Sequence, residues 1–199
     1  MPRRAPELWY ASGAILVVTL GYGAAYLRAD ALPSASGLAG HGIGIAGFVL
    51  MLMTATLYSV RKLRTAARWG SMAAWLRFHM VTGLVGPYMV LLHTTMRFRG
   101  LAGLAMLLTA VVVLSGLIGR YLYTAVPRDL GDGNGAPREG RGLASSADQR
   151  EVARRRARLA GRRRALAVWH ALHVPLAWAL FAAAFVHVVA ALYYATLQR

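Results

Sequence analysis

Arg77-Phe-His-Met-Val-Thr-Gly-Leu-Val-Gly-Pro-Tyr-Met-Val-Leu-Leu-His93 carries two histidines, His79 and His93, fourteen residues apart in a mostly apolar run. A second run, His173-Val-Pro-Leu-Ala-Trp-Ala-Leu-Phe-Ala-Ala-Ala-Phe-Val-His187, repeats that spacing with His173 and His187. Fourteen steps of 100° fall about 40° short of four turns, so each pair shares one helix face, roughly 21 Å apart along the axis. Two such helices side by side would present four imidazoles at two matched depths.

The rest of the chain says what surrounds them. Its 199 residues are 57% hydrophobic, and its mean hydropathy is +0.46. Runs of about 20 apolar residues mark membrane-spanning helices, and the sequence has room for five. Strand-type alternation is absent, which argues against a β-barrel. The net charge of +16 sits between the apolar runs rather than on a soluble face. No aromatic or groove-reading motif accompanies it, so nucleic acid is not expected as a partner. With no cysteine, disulfides, thiolate-held iron–sulfur clusters and thioether-attached haem are excluded within the chain.

The expected fold is an all-α integral membrane protein, one domain over residues 1–199, with five transmembrane helices. The expected spans are 8–27, 41–60, 75–96, 101–123 and 168–197. The first follows Arg3 and Arg4, and Ala29-Asp30-Ala31 resembles a cleavage site. Its apolar run is long for a signal peptide, so it is read as a retained span. The second opens with Gly40-His-Gly-Ile-Gly-Ile-Ala-Gly47, a small-residue stretch suited to close helix contact. Arg97-Phe-Arg-Gly100 is a tight connection between helices 3 and 4. Pro127 is expected to end helix 4. Residues 127–166 form a basic loop: a Gly-rich linker, then a helix-capable stretch with eight arginines between Arg150 and Arg164. That stretch reads as a solvated or lipid-bound segment drawn to anionic headgroups, or as a dock for an acidic redox partner.

Of the 23 basic residues, 19 lie in the N-terminus and the 61–77 and 120–168 segments; Arg28, Arg97, Arg99 and Arg199 are the others. The positive-inside rule then puts the N-terminus in the cytoplasm and the C-terminus outside an inner membrane. Helices 3 and 5 run parallel in that topology. His79 is paired with His173 near the inner surface, and His93 with His187 near the outer one.

An ionisable side chain is costly inside a bilayer, so an intramembrane histidine points to function. Neutral imidazole is a good axial ligand for haem iron. Two equal spacings on two parallel helices suit two b-type haems stacked between helices 3 and 5. Gly83 and Gly86 on helix 3, and Ala177, Ala183 and Ala184 on helix 5, leave room for a flat macrocycle. Pro87 and Pro175 would bend the helices around it. Arg77, Arg97, Arg99 and Arg120 stand where haem propionates would be paired. His41, at the level of His93, and His170, one turn before His173, are candidate contacts for a quinone or a propionate. His170 is also an alternative to His173 as ligand. Trp75, Trp169, Tyr121, Tyr123, Tyr193 and Tyr194 read as interfacial aromatic belts.

The four histidines resemble those of the di-haem cytochrome b family, in which two parallel helices of a bundle each carry two ligands at this spacing. The pattern is similar both to the cytochrome b of quinol–cytochrome c oxidoreductases and to the ferric reductase-like transmembrane domain. The resemblance covers residues 40–197. It implies transmembrane electron transfer by a membrane subunit of an oxidoreductase complex. Such a subunit exchanges electrons with the quinone pool and with a c-type cytochrome or an iron–sulfur protein. The chain lacks the flavin and nicotinamide domain of many ferric reductases and the extra helices of a bc-type cytochrome b. A self-contained ferric or quinone reductase is the first alternative. A metal-transport or structural subunit, with zinc or copper on the histidines, is the second.

Overall fold

A computed structural model of the chain describes residues 6–29, 37–63, 71–131 and 146–197. The N-terminal arginines, the 30–36 connection, the 64–70 part of the basic connection and the 132–145 linker lie outside the described residues. Five helices occupy the rest: α1 (Pro6–Ala29), α2 (Leu38–Leu63), α3 (Met72–His93), α4 (Gly100–Gly131) and α5 (Ser146–Leu197). No strand occurs among the described residues.

Four of these helices hold segments long and apolar enough to cross a membrane: 6–28, 40–57, 100–123 and 152–194. Their large apolar side chains point outward. Leu20, Leu107 and Leu192 are 64%, 62% and 64% exposed, a surface that only lipid would cover at little cost. The protein is therefore a multi-pass membrane protein. The helix that falls short is α3, which carries Arg77, His79, Pro87 and His93. Among the described residues it also holds the longest run of buried ones, Val85 to Pro87. A helix shielded by its neighbours needs fewer apolar groups than one facing lipid.

Three helix ends differ from expectation, each for a local reason. α3 starts three residues early because Ser71 caps it, its Oγ accepting from the Ala74 N–H at 3.2 Å. It stops at His93 because Thr95 and Met96 adopt φ of 47° and 60°, left-handed values that end a helix. α4 runs through Pro127 to Gly131. A proline removes one backbone donor and strains one turn, and here a single turn follows it. α5 absorbs the arginine-rich stretch into one helix of 52 residues, since Ala and Arg are strong helix formers.

The residues divide into two compact units. The first comprises residues 1–113 and 180–199, the second 114–179. In the first, α3 packs against both α1 and α2. α1 and α3 run in the same direction: Tyr10 shares a groove with Ala74, Arg77, Phe78 and Val81, and Thr19 meets Tyr88, hydroxyl to hydroxyl at 2.7 Å. α2 runs against α3. Their closest approach is Gly47 on Gly86, where a Cβ on either would come within 3.0 Å of the other's carbonyl oxygen. Phe48 of α2 meets Phe181 of α5 edge-on, ring centroids 6.3 Å apart. In the second unit α4 and α5 run antiparallel, with Ser115 beside His173 and Gly119 under Trp169.

Candidate functional site

Two of the four spaced histidines sit on α3, and both lean on α2 in the same way. His79 Nδ1 donates to the Thr54 carbonyl at 3.1 Å. His93 Nδ1 donates to the Gly40 carbonyl at 2.9 Å. A carbonyl oxygen only accepts, so each Nδ1 must hold the proton. The lone pair of each neutral ring is then left on Nε2. A second-shell bond of this kind fixes ring orientation and tautomer in a metal-ligating histidine.

The space for the His93 ring is made by a glycine. A Cβ on Gly44 would stand 2.7 Å from His93 Cγ and 2.9 Å from Nδ1, so only a residue without a side chain lets the imidazole lie flat on α2. His41 is exposed, its ring centroid 6.2 Å from that of His93, and its Nδ1 donates to the Gly37 carbonyl at 3.1 Å. His187 of α5 belongs to the same unit and comes near His93. Phe181 meets Phe48, and six residues later His187 reaches the level of His93, which rests on Gly40 and Gly44. This part of α5 therefore runs against α2 and along α3.

The second unit holds His173. Its Nδ1 is 3.0 Å from Ser115 Oγ. The Trp169 ring stacks on it, centroids 5.0 Å apart and planes 25° from parallel. Trp169 Nε1 donates to the Ser115 carbonyl at 2.7 Å, and its indole fills the space left by Gly119. His170 is exposed and meets Trp169 edge-on at 6.3 Å.

Other residues singled out from the sequence fall elsewhere. Gly86 is buried against Gly47, Leu50 and Met51 of α2. The room its missing side chain leaves is used for helix contact. Gly83 touches only Thr54, at ordinary contact distance. Arg77 lies two residues from His79, about 200° around the helix. It lines the α1–α3 groove of about 400 Å³ with Tyr10, Phe78 and Val81, the side of α3 away from His79's contact with α2. Arg97 and Arg99 are exposed in the connection after His93, and Arg120 is half-buried on α4. Trp169, expected as a belt residue, is instead packed on His173.

Sequence reasoning missed Gly40, Gly44, Thr54 and Ser115. Backbone carbonyls carry no sequence signal. The spacing of Gly40, Gly44 and Gly47 on one helix face marks a close contact but not what is received there.

Among the described residues no group of three or more His, Cys, Asp or Glu gathers for a bare metal ion. His79 and His93 are each held singly, with the tautomer set by a backbone carbonyl. That donor set suits an iron porphyrin, which supplies its own four equatorial nitrogens and asks the protein only for axial ones. The molecule is thus a helical membrane protein whose singly held histidines are donors of the kind haem uses.

The family comparison agrees. The model of the prokaryotic cytochrome b561 family matches residues 8–199, and the chain belongs to that family of b-type haem membrane cytochromes. No curated protein and no solved structure matches it.

Proposed function

We propose that this protein carries electrons across the membrane through two b-type haems, as the cytochrome b subunit of a redox complex. His93 and His187 hold the outer haem; His79 and His173 hold the inner one. Five spans, with α3 and α5 parallel, set the two haems at the two depths fixed by the fourteen-residue spacing. The observation that carries the reading is the paired Nδ1–carbonyl bond of His79 and His93, which puts the lone pair of two like imidazoles on Nε2, fourteen residues apart on one helix.

Bound haem supplies reversible one-electron chemistry at iron. The chain supplies the rest. The carbonyls of Thr54 and Gly40 orient the imidazoles and raise their basicity. The lipid-facing side chains keep water from the span. Arg97, Arg99 and Arg120 offer partners to propionates, with His170 as a further contact. His41, exposed beside His93, is placed to contact a quinone and take its proton on quinol oxidation. The N-terminus is cytoplasmic, following the arginine distribution. Electrons are exchanged with the quinone pool and with a partner protein carrying c-type haem or an iron–sulfur cluster.

The test is a haem count with a reduced-minus-oxidised spectrum on the purified chain and four alanine variants. The reading expects two haems of b type. It expects one to be lost in both His93→Ala and His187→Ala, and the other in both His79→Ala and His173→Ala. A single haem in the native chain, or variants that fall into different pairs, would overturn it.

A further inference from the structure

We infer that Trp169 and Ser115 are positioning residues that set the ring plane and the electron-donating strength of the His173 imidazole. The inference rests on the reading of His173 as an axial haem ligand. Three observations carry it. Ser115 Oγ lies 3.0 Å from His173 Nδ1. The Trp169 indole stacks on the imidazole at 5.0 Å and 25°. The same indole is itself pinned, its Nε1 donating to the Ser115 carbonyl at 2.7 Å. One residue of α4 thus contacts the histidine through its side chain and holds the ring that covers the histidine through its backbone.

The arrangement differs from that of the α3 histidines. His79 and His93 donate to backbone carbonyls, acceptors that no side-chain substitution removes. His173 has a hydroxyl, which accepts the Nδ1–H when Nε2 binds iron. Accepting that hydrogen bond pushes electron density toward Nε2, favouring ferric over ferrous iron. The stack acts on another coordinate. A ring held on one face cannot turn about its Cβ–Cγ bond, and the angle of an axial imidazole over the porphyrin shapes the electronic structure of low-spin iron. Gly119 makes this packing available, since any Cβ there would run into the indole.

Two readouts separate positioning from a merely structural role. Redox potentiometry reads the donor effect and the electron paramagnetic resonance spectrum of the oxidised protein reads the ring angle, both on the full-length haem-loaded chain. Ser115→Ala should shift the reduced-to-oxidised ratio of one haem toward reduced by roughly two- to tenfold at fixed potential, the scale of one hydrogen bond. Ser115→Thr should restore it. Trp169→Leu should move the largest g value of one low-spin signal, while Trp169→Phe, which keeps a flat ring, should move it less. The affected haem must be the one lost in His173→Ala, and the other must stay unchanged.

The inference fails if Ser115→Ala and Trp169→Phe leave both potentials and both signals at native values. It also fails if both haems shift together, or if the haem that shifts is the one His173→Ala retains. Should Trp169→Leu not fold, the Ser115→Ala and Trp169→Phe results decide. If His173→Ala retains both haems, the ligand assignment itself falls, an outcome distinct from the loss of the positioning effect.

Discussion

With His93 as a haem ligand, as proposed, Gly44→Ala should cost the protein one haem, while Gly42→Ala should cost nothing. The two substitutions add the same methyl group to the same helix, two residues apart. At Gly44 the new Cβ would stand 2.7 Å from His93 Cγ, 2.9 Å from Nδ1 and 3.0 Å from Cδ2; at Gly42 it would meet nothing within 4 Å. Ordinary contact begins at 3.4 Å, so the His93 ring must retreat by about 0.7 Å from α2. Its bond to the Gly40 carbonyl is 2.9 Å long. The same retreat stretches it to about 3.6 Å, outside hydrogen-bonding range. Losing that bond costs about 1 kcal/mol, and overpacking adds about 1–3 kcal/mol. A sum of about 2–4 kcal/mol weakens retention of the His93-side haem roughly 30- to 1,000-fold. The assay is haem per chain after washing in detergent, with a difference spectrum to identify which haem remains. Gly42→Ala should hold two haems and gain slightly in helix stability. If Gly44→Ala holds both haems with native spectra, the His93 ring does not lie on α2 and the outer site has been misplaced.

Gly119→Ala should displace the Trp169 indole that fills that space and change the same haem signal as Trp169→Leu, read by electron paramagnetic resonance; a change at the other haem would contradict the packing. Gly86→Ala should separate α2 from α3, because its Cβ would stand 2.9 Å from the Gly47 carbonyl, which belongs to backbone and cannot swing aside; a loss of about 1–3 kcal/mol is expected in detergent unfolding. Thr54 and Thr82 are buried, Thr54 Oγ1 donating to Thr82 Oγ1 at 2.6 Å and Thr82 to the Phe78 carbonyl at 2.8 Å. Thr54→Val and Thr82→Val should each cost about 1 kcal/mol, and the double variant little more, since one bond is shared. Full additivity of the two unfolding midpoints would show that the bond does not couple them.

The five helices were legible because apolar runs of membrane length are a strong signal and the connections between them are polar. The ends were less so. Ser71 is a recognisable cap, yet the apolar run after it invites a later start. The left-handed Thr95 and Met96 carry no glycine to announce them. The arginine stretch before Val168 reads as helix-capable but separate from the last span, because its charge marks a membrane edge, whereas α5 runs through both unbroken. The four spaced histidines could be picked out in the sequence by their own chemistry. Their acceptors could not, because Gly40 and Thr54 contribute main-chain oxygen. Trp169 was readable in principle, four residues before His173 and so on the same face, but a tryptophan near a helix end reads first as an interfacial anchor.

The register of α2 on α3 explains why fourteen is a workable interval. His93 rests on Gly40, Gly86 on Gly47, and His79 on Thr54. Each step is seven residues on both helices, so the antiparallel pair meets in a heptad register. In a straight α-helix fourteen residues leave the two imidazoles about 40° apart, and a supercoil of 3.5 residues per turn removes that offset. Gly47 and Gly86 stand at the midpoint, where their close approach lets the backbones wind about each other. Gly86, which the sequence offers as room for a cofactor, and Gly47, which it offers for helix contact, therefore act together one step earlier. They hold α2 close enough for its carbonyls to orient both histidines alike. An alanine at the midpoint should then disturb His79 and His93 together, though it touches neither. Gly44→Ala, at one end of the seam, should disturb His93 alone. Haem counts and spectra that show the reverse order would mean that the two histidines are oriented independently of the helix contact.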